Sequence, residues 1–464
     1  MFNALNGTGG GGQLDATTNN NANTALYSTF VVFGVLGGAI VNLFGVRWTI
    51  FGSGFTYALY SGSYIYLNHT GKGSFTIAAG ALLGVGAGIL WAAQGMILVS
   101  YPREEEKAKY IAVFWVIFNM GGVLGGLIPF AMNYNTTEAK SLSDGVYIAF
   151  VILECLGAFL GLALAPPSKV TRNDGSSVVL VKYTNVGKES IEIVKLFLNP
   201  LMLALLPMCF NSNFFTTYQF DSINGALFNT RTRGFNNIMY WLAQMIGAYL
   251  ISLVLDNKHL NRKQRGFVGF AIILVACSTR MIGAYLISLV LDSKHLTRKQ
   301  RGFAGFVIIL VAFNGIWGGS LAVQNKYPGG IKDKTQLIDF KESSGRAGGP
   351  IALYFFCGMG DAFYQSFAYW IIGALTNNNQ ILARYAGFYK GMQSFGAAIA
   401  WQLDVKTKPK NQLIGNWVLF AVSLLPMFYV ILTLKDHSED VVPENEKEYD
   451  VDENAAEHAV DVKA

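Results

Sequence analysis

The chain has 464 residues, of which 52% are hydrophobic and 14% are charged, and its net charge is +6. A soluble protein of this length would carry roughly a quarter of its residues as charged side chains. The charges here lie in short clusters between apolar runs of about 20 residues, a length that crosses the hydrocarbon of a bilayer. The composition therefore argues against a soluble enzyme and predicts an all-α membrane protein surrounded by lipid.

Residues 1–165 form the predicted N-terminal helical half. Its membrane spans are predicted at 24–44, 48–67, 75–101, 110–132 and 146–165. Pro166 and Pro167 end the fifth span, because proline lacks the backbone N–H that a continuing helix needs. The polar stretch that follows makes residues 166–195 a predicted cytosolic linker.

Residues 196–434 form the predicted C-terminal helical half, and residues 435–464 form a tail. The spans of this half are predicted at 196–218, 236–255, 267–279, 281–291, 302–323, 350–375, 381–401 and 413–434. From Asp436 onward the chain has eleven acidic residues and two lysines, a net charge of −9. A segment with this charge cannot bury enough apolar surface to fold, so we predict an acidic disordered tail.

A tandem repeat with a period of 36 residues interrupts the C-terminal half, because residues 245–280 recur almost unchanged as residues 281–316. The repeats that relate transporter halves are ancient and faint. Near-identity therefore favours a recent duplication or an error in the gene model. The junction would place Arg280 near the middle of a helix, where an unpaired arginine costs about 2.5–3.5 kcal/mol.

Two patterns predict how the chain is oriented in the membrane. Asn6, Asn68 and Asn135 begin glycosylation sequons, which belong outside the cytosol. Basic residues instead collect after the first, third and fifth spans, and the excess of positive charge places these loops in the cytosol. These basic residues are Arg47, Arg103, Lys107, Lys109, Lys169, Arg172, Lys182 and Lys188. The start of the chain is therefore expected outside, and we expect that a first helix before Met1 is missing.

The four cysteines do not indicate a metal site or a disulfide framework. Cys155, Cys209, Cys277 and Cys357 all lie in apolar runs without the spacing of metal ligands, so we expect buried free thiols. The glycine run 9–12 lacks the Lys-Ser/Thr that follows a phosphate-binding loop. We predict no enzymatic activity, no cofactor, no metal and no nucleic-acid partner.

Several short motifs occur in the same order as in a known family. The stretch from Gly38 to Arg47 reads Gly-x3-Asn-x2-Gly-x-Arg, and Asn42 stands where the related signature has an acid. Further motifs are found at 1–10, 90–95, 101–102, 114–121, 361–365, 369–370 and 387–398. Together they resemble the uncoordinated-93-like branch of the major facilitator superfamily, particularly its fungal members.

That resemblance implies a major facilitator-like bundle of two six-helix halves around a central cavity. Residues 1–10 resemble the exit of the family's first helix, and the repeat doubles the eighth helix with most of the ninth. We therefore expect about 11–12 transmembrane helices in this chain.

Polar side chains inside the spans are the candidates for substrate binding or gating, because such groups avoid lipid. Glu154 and Asp361 could bind a proton or a cation, or each could pair with a hydroxyl, an amide or an arginine. Arg47 could hold helix ends together and so gate alternating access. The residues predicted to bind substrate or to gate are Arg47, Gln94, Asn119, Glu154, Asp361, Tyr364 and Gln365. The amides Gln94 and Asn119 could equally join helices.

Two main functions are compatible with these features. The first is secondary transport of a small solute or ion by alternating access, in the plasma membrane or an endomembrane such as that of the vacuole or endosome. The second follows from the resemblance, because animal members act as regulatory or trafficking partners of channels and other membrane proteins. The scarcity of intramembrane charge favours this second function. A non-functional product of a damaged gene is a third possibility.

Overall fold

The computed structural model describes residues 1–101, 107–138, 140–165, 170, 186–255, 297–376 and 379–434. Within these ranges the chain is helical apart from short connections and one isolated bridge between Phe228 and Ile338. The acidic tail, Cys277, Arg280, the repeat junction and most of the predicted linker lie outside the described residues.

The N-terminal half contains one short helix and four long ones. They are α1 (Phe2–Gly7), α2 (Thr17–Thr70), α3 (Ser74–Ser100), α4 (Lys107–Met132) and α5 (Asp144–Gly161). The first two predicted spans are two helical segments of the range α2, and they are separated by a turn at Gly45, where φ is 73°.

The predicted start of the first span, at residue 24, is wrong by about two turns of helix. Residues 17–23 are polar and resemble a loop, but they form the beginning of α2 inside the protein. Asn19, Asn20 and Asn23 are each at most 1% exposed. The Asn19 Oδ1 atom accepts a hydrogen bond of 2.6 Å from Tyr64. Buried amides that find such partners can lie within a helix despite their polarity.

The C-terminal half begins with broken helices and continues with long ones. Its helices are α6 (Val186–Lys195), α7 (Pro200–Asn211), a π-helix (Tyr218–Gly225), α8 (Thr230–Leu255), α9 (Arg298–Lys326), α10 (Ser344–Leu375), α11 (Asn379–Lys406) and α12 (Pro409–Thr433). The end of the predicted linker is therefore helical.

The prediction of one unbroken span at 196–218 is wrong. The segments Ile191–Leu198 and Pro200–Asn211 meet at an angle of 98°. Asn199 begins the second segment, because its side chain accepts hydrogen bonds from the backbone N–H groups of Leu201 and Met202. Pro200 has no N–H to continue the preceding turn and fits the first position of the new helix.

Five helices in the described part of the chain are long and apolar enough to cross a membrane, and the bent pair would be a sixth. They are Ser74–Leu98, Val113–Met132, Asp144–Gly161, Lys299–Lys326 and Pro409–Thr433. Helices α8, α10 and α11 are of similar length but carry more polar residues. These three helices hold most of the site described below.

Hydrogen bonds join the connections at one end of the bundle, which is the predicted external end. Asn68 donates to Asp144 over 2.8 Å, and Asn229 donates to the Asp339 carboxylate over 2.5 Å. Among the sequon asparagines, Asn68 and Asn135 are exposed there, whereas Asn6 is buried.

The described cysteines are free thiols, as expected. Cys209 and Cys357 are buried, and Cys155 is half-buried.

Candidate functional site

Asp361 lies in the middle of α10 and is 3% exposed. Its Oδ1 atom accepts a hydrogen bond of 2.7 Å from Gln365, one turn further along the same helix. Its Oδ2 atom accepts hydrogen bonds from two residues of α8, Tyr240 at 3.2 Å and Gln244. Three donors therefore surround the carboxylate, which compensates for much of the cost of removing a charge from water.

Tyr240 extends this hydrogen bonding towards the π-helix. Its hydroxyl lies 2.9 Å from the side-chain amide of Gln219 as well as beside Asp361. A hydroxyl has only one proton to donate. If the Gln219 amide presents its nitrogen to Tyr240, the tyrosine proton is available for Asp361. This orientation also supplies a partner for Gln219 Nε2, which otherwise has none among the described residues.

Two amides connect Asp361 with a lysine on the neighbouring helix. Gln393 Nε2 donates to Gln365 Oε1 over 3.2 Å, and Lys390 Nζ donates to Gln393 Oε1 over 2.8 Å. Asp361, Gln365, Gln393 and Lys390 thus form one hydrogen-bonded series, here called the Asp361–Lys390 chain. It places a positive and a negative group inside the bundle without direct contact between them.

Lys390 faces the other half of the protein. Its Nζ atom lies 5.0 Å from the ring centre of Trp91 on α3, and 5.6 and 5.7 Å from those of Tyr369 and Tyr389. These distances are those of cation–π contacts. Trp115 on α4 also contacts Tyr369, with ring centres 6.2 Å apart. Aromatic side chains of both halves therefore meet beside the lysine.

Several of these side chains are only partly covered. Lys390, Gln365, Trp91, Trp115 and Tyr369 are half-buried, although they lie where the two halves face each other. Protein atoms of the described residues therefore do not fully enclose these side chains.

The other predicted site residues lie apart from the Asp361–Lys390 chain. Tyr364 is buried on a different face of α10, where it contacts Asn211 at 3.3 Å and Ser423 at 3.2 Å. Arg47 is exposed directly after the turn at Gly45. The structure therefore brings together Asp361 and Gln365 and separates both residues from Tyr364 and Arg47.

The remaining candidates belong to the N-terminal half. Gln94 is half-buried on α3, and Asn119 is 5% exposed on α4 with an Oδ1 atom that has no partner among the described residues. Glu154 on α5 makes no hydrogen bond of ordinary geometry with the described residues, although Ser61 and the backbone of Phe2 lie near its carboxylate. None of these three residues makes a described contact with the Asp361–Lys390 chain.

A glycine loop closes the space between the halves at the predicted external end. Residues 9–12 are all glycine and all have a positive φ, a conformation that other residues rarely adopt. The N–H of Gly10 donates to Asp221 over 2.7 Å. Arg233 on α8 is 6% exposed and donates to the carbonyl oxygens of Thr8, Gly9 and Gln13. The C-terminal half thus holds this loop by its backbone.

Another hydrogen bond between the two halves lies near the glycine loop: Asn20 on α2 donates to Asp404 on α11 over 2.7 Å. This bond adds a second connection between the halves beside the glycine loop.

A second set of contacts at this end involves the loops. Arg231 forms an ion pair with Asp339 at 2.5 Å, and both side chains are about 5% exposed or less. Arg231 and Asn229 also donate to the backbone carbonyls of Tyr134 and Thr137 in the N-terminal half. We call these five residues the external loop cluster. Although burial favours the neutral acid, hydrogen bonds from Arg231, the Glu342 backbone and Asn229 hold the pKa of Asp339 well below its usual range.

Comparison with known proteins identifies the family. The sequence profile described as "Ion channel regulatory protein UNC-93" matches residues 12–309. UNC93-like protein 1 of Arabidopsis thaliana is 46% identical over 450 residues, covering 95% of this chain and 90% of the relative. The chain belongs to the UNC-93 family. An UNC93-like protein of Schizosaccharomyces pombe is 40% identical, covering 92% of this UNC-93 protein and 77% of the relative.

Solved structures show the fold of this UNC-93 protein. The inward-open xylose transporter XylE of E. coli aligns with a TM-score of 0.54 at 11% identity, over 92% of this chain and 93% of that one. A crystal structure of a D-xylose-proton symporter aligns with a TM-score of 0.51. The UNC-93 chain therefore has the major facilitator-like two-half bundle that its sequence predicts.

The sequence-based candidate set omits the basic residue of the site in this UNC-93 protein. Lys390 lies within the motif 387–398 and is one of two basic residues in the predicted span 381–401, the other being Arg384. A cation at that depth is as unusual as an acid, so the charge of Lys390 is itself a signal of a functional site in the sequence. Tyr240 and Gln393 have no comparable signal, because buried tyrosines and glutamines are common in helix packing.

Proposed function

We propose that the chain is a secondary transporter that moves a small solute or ion by alternating access. The observation that supports this proposal is the Asp361–Lys390 chain, which places two opposite charges between helices that face the other half. Intramembrane ionisable groups are costly and in transporters bind substrates, protons or coupling ions. In this proposal Lys390 and the aromatic residues around it bind the solute, and Asp361 stabilises the lysine charge through the two amides.

The contacts between the halves suggest which side admits the solute in the present conformation. At the predicted external end the glycine loop, the Asn20–Asp404 bond and the external loop cluster connect the halves. At the level of Lys390 the contacts across the halves include the Trp115–Tyr369 ring contact and the contact of the Lys390 ammonium with the Trp91 ring, and these residues are half-buried. XylE, whose structure has the same fold, is described as an inward-open transporter. We propose that this conformation likewise opens towards the predicted cytosolic end.

Flux through purified full-length protein in liposomes tests the proposal, with a panel of labelled sugars, amino acids, organic acids and cations. Asp361→Asn should lower the flux by about tenfold or more, because its NH2 group would face the donors Gln244 and Gln365. Asp333→Asn is the matched control. Asp333 caps a short turn in the external loop, and asparagine caps equally well, so its flux should equal that of the wild type. The absence of flux for the whole panel would refute the proposal.

The family description supports a second candidate function, regulation of an ion channel. A regulator needs the fold and its surfaces but not a solute site. Expression beside a potassium channel would then change the channel current, and the wild type and Asp361→Asn would change it equally. This result, together with no flux in liposomes, would favour regulation over transport.

A further inference from the structure

The two charged ends of the Asp361–Lys390 chain differ in how completely their hydrogen-bonding capacity is used. The Asp361 carboxylate already accepts from Gln244, Gln365 and Tyr240. The ammonium of Lys390 has three N–H donors, and its one hydrogen-bond partner among the described residues is Gln393. The rest of the ammonium faces aromatic rings. Lys390 is therefore the end that can take a further ligand.

We infer that Lys390 is the docking point for an organic anion, namely a small carboxylate attached to a flat aromatic ring. This inference rests on the proposed function and names its substrate class. The carboxylate accepts hydrogen bonds from the unused N–H donors of Lys390, which are strong because both partners are charged. The ring of the ligand lies against the aromatic side chains that surround the lysine.

The aromatic environment explains why the ligand carries a ring. Trp91 belongs to a cluster on α3 and α4 with Phe114, Trp115 and Phe118, in which neighbouring ring centres lie 5.4–6.4 Å apart. All four are half-buried. Tyr369 continues this surface into the C-terminal half. An aromatic ligand gains stacking contacts from both halves, whereas an inorganic anion gains only the contact with Lys390.

The charge of Lys390 explains why the ligand is an anion. Aromatic rings by themselves attract organic cations, but here the lysine already occupies the position from which its ammonium faces three rings. A second cation would have to displace Lys390 and would meet like charge. Asp361 offers no open position to a cation, because its two oxygens are hydrogen-bonded to three donors.

Calorimetric titration of the purified full-length protein in detergent tests the inference with three probes of similar shape. Benzoate is the anion, benzyl alcohol is neutral and benzylamine is the cation. Benzoate should bind saturably and benzyl alcohol at least about tenfold more weakly, because it lacks the charge. Lys390→Gln should weaken benzoate binding by a similar factor, and Lys390→Arg should retain it. Lys326→Gln is the matched control, since Lys326 faces Tyr327 at the external end and its loss should change nothing.

A second variant keeps the inference testable if Lys390→Gln does not fold. Trp91→Ala removes the aromatic contact from the other half and should also weaken benzoate binding, while size-exclusion profiles report folding. Benzoate binding that is unchanged in every folded variant of Lys390 and Trp91 would overturn the inference. Tighter binding of benzylamine than of benzoate would also overturn it, in favour of a cation site.

The outcomes separate this inference from the proposed function. If the protein transports some solute but binds none of the three probes, the anion site is wrong and the transport proposal stands. If benzoate binds in a Lys390-dependent manner but liposomes show no flux for benzoate or the panel, the site stands and the transport proposal fails.

Discussion

Asp361 shows how one buried acid can be tolerated inside a membrane bundle. Its three donors come from two helices, and Tyr240 and Gln244 lie one turn apart on α8 so that both face the same carboxylate. Each donor offsets part of the free energy lost when the acid leaves water. The stability of the buried Asp361 carboxylate therefore depends on the packing of α8 against α10, because two of its three donors lie on α8.

Tyr240→Phe should lower the thermal unfolding midpoint of the purified protein. The change removes one hydrogen bond to a charged group, and the loss of such a bond costs about 1.5–3 kcal/mol. The measurement is thermal unfolding in detergent, monitored by tryptophan fluorescence.

Tyr369→Phe is the control for this change, because the Tyr369 ring remains beside Lys390 and its hydroxyl has no described hydrogen bond. Its midpoint should stay near that of the wild type. Equal midpoints for the two variants would mean that the Tyr240–Asp361 bond does not stabilise the fold.

The sequence predicts only the part of this site that lies on one helix. Asp361 and Gln365 are four residues apart, so their contact follows from helix geometry. The contacts with Gln244, Gln393 and Lys390 join different helices and depend on how those helices rotate and pack. Tyr364 illustrates the difference, because it lies near Asp361 in sequence but hydrogen-bonds with Asn211 and Ser423 instead.

At the scale of elements, α2 depends on a single glycine. Gly45 has φ 73° and ψ 155°, a combination that only glycine adopts readily. An added Cβ would meet no atom within 4 Å. The cost of a side chain there would therefore come from the backbone conformation and not from a clash.

Gly45→Ala should destabilise the protein by about 1–3 kcal/mol, because alanine at this φ and ψ is strained. Gly52→Ala is the matched control. Gly52 also has open space around its Cβ position but lies within regular helix, where alanine is preferred to glycine by up to about 1 kcal/mol. Thermal unfolding of both variants is the measurement, and a Gly45→Ala midpoint equal to or above that of Gly52→Ala would contradict the expectation.

The bend at Gly45 and the break at Asn199 differ in how visible they are in the sequence. A glycine followed by Val46 and Arg47 between two apolar runs predicts a turn, and the structure has one there. The Asn-Pro pair at 199–200 is also a boundary signal. Apolar residues on both sides of that pair favour the prediction of one continuous span. In the structure the Asn199 side chain instead caps a new helix, and the span is broken there.

At the scale of the whole molecule, the external loop cluster contains one buried ion pair, Arg231–Asp339, within the C-terminal half. Arg231 and Asn229 join this pair to the N-terminal half through hydrogen bonds to the backbone carbonyls of Tyr134 and Thr137. The pKa of Asp339 is held below its usual value of about 3.9. A depressed pKa contributes stability that is complete above the unfolded-state value and is lost as the pH falls through the folded-state value. The ion pair should therefore contribute equally from pH 8 down to pH 5, including at the acidity of a vacuole.

Asp339→Asn should lower the unfolding midpoint by an amount corresponding to about 3 kcal/mol, because it leaves Arg231 buried without its main partner. Glu342→Gln is the control, since Glu342 contacts the same arginine but is 61% exposed and should matter little. The difference between the wild type and Asp339→Asn should stay constant between pH 8 and pH 5. A difference that shrinks across this range would show that Asp339 is not ionised there.

The sequence by itself determined the fold class and the family. These properties follow from the length and periodicity of apolar runs and from ordered local motifs, which are features of neighbouring residues. The tertiary structure decided which polar groups meet: Asp361 with α8, Lys390 with Trp91, and Arg233 with the glycine loop. Such contacts join residues far apart in the chain, and they depend on helix rotation and on the closure of one end of the bundle. The pattern of neighbouring residues does not determine helix rotation or packing, and buried polar groups form hydrogen bonds with the partners that the packed helices bring near them.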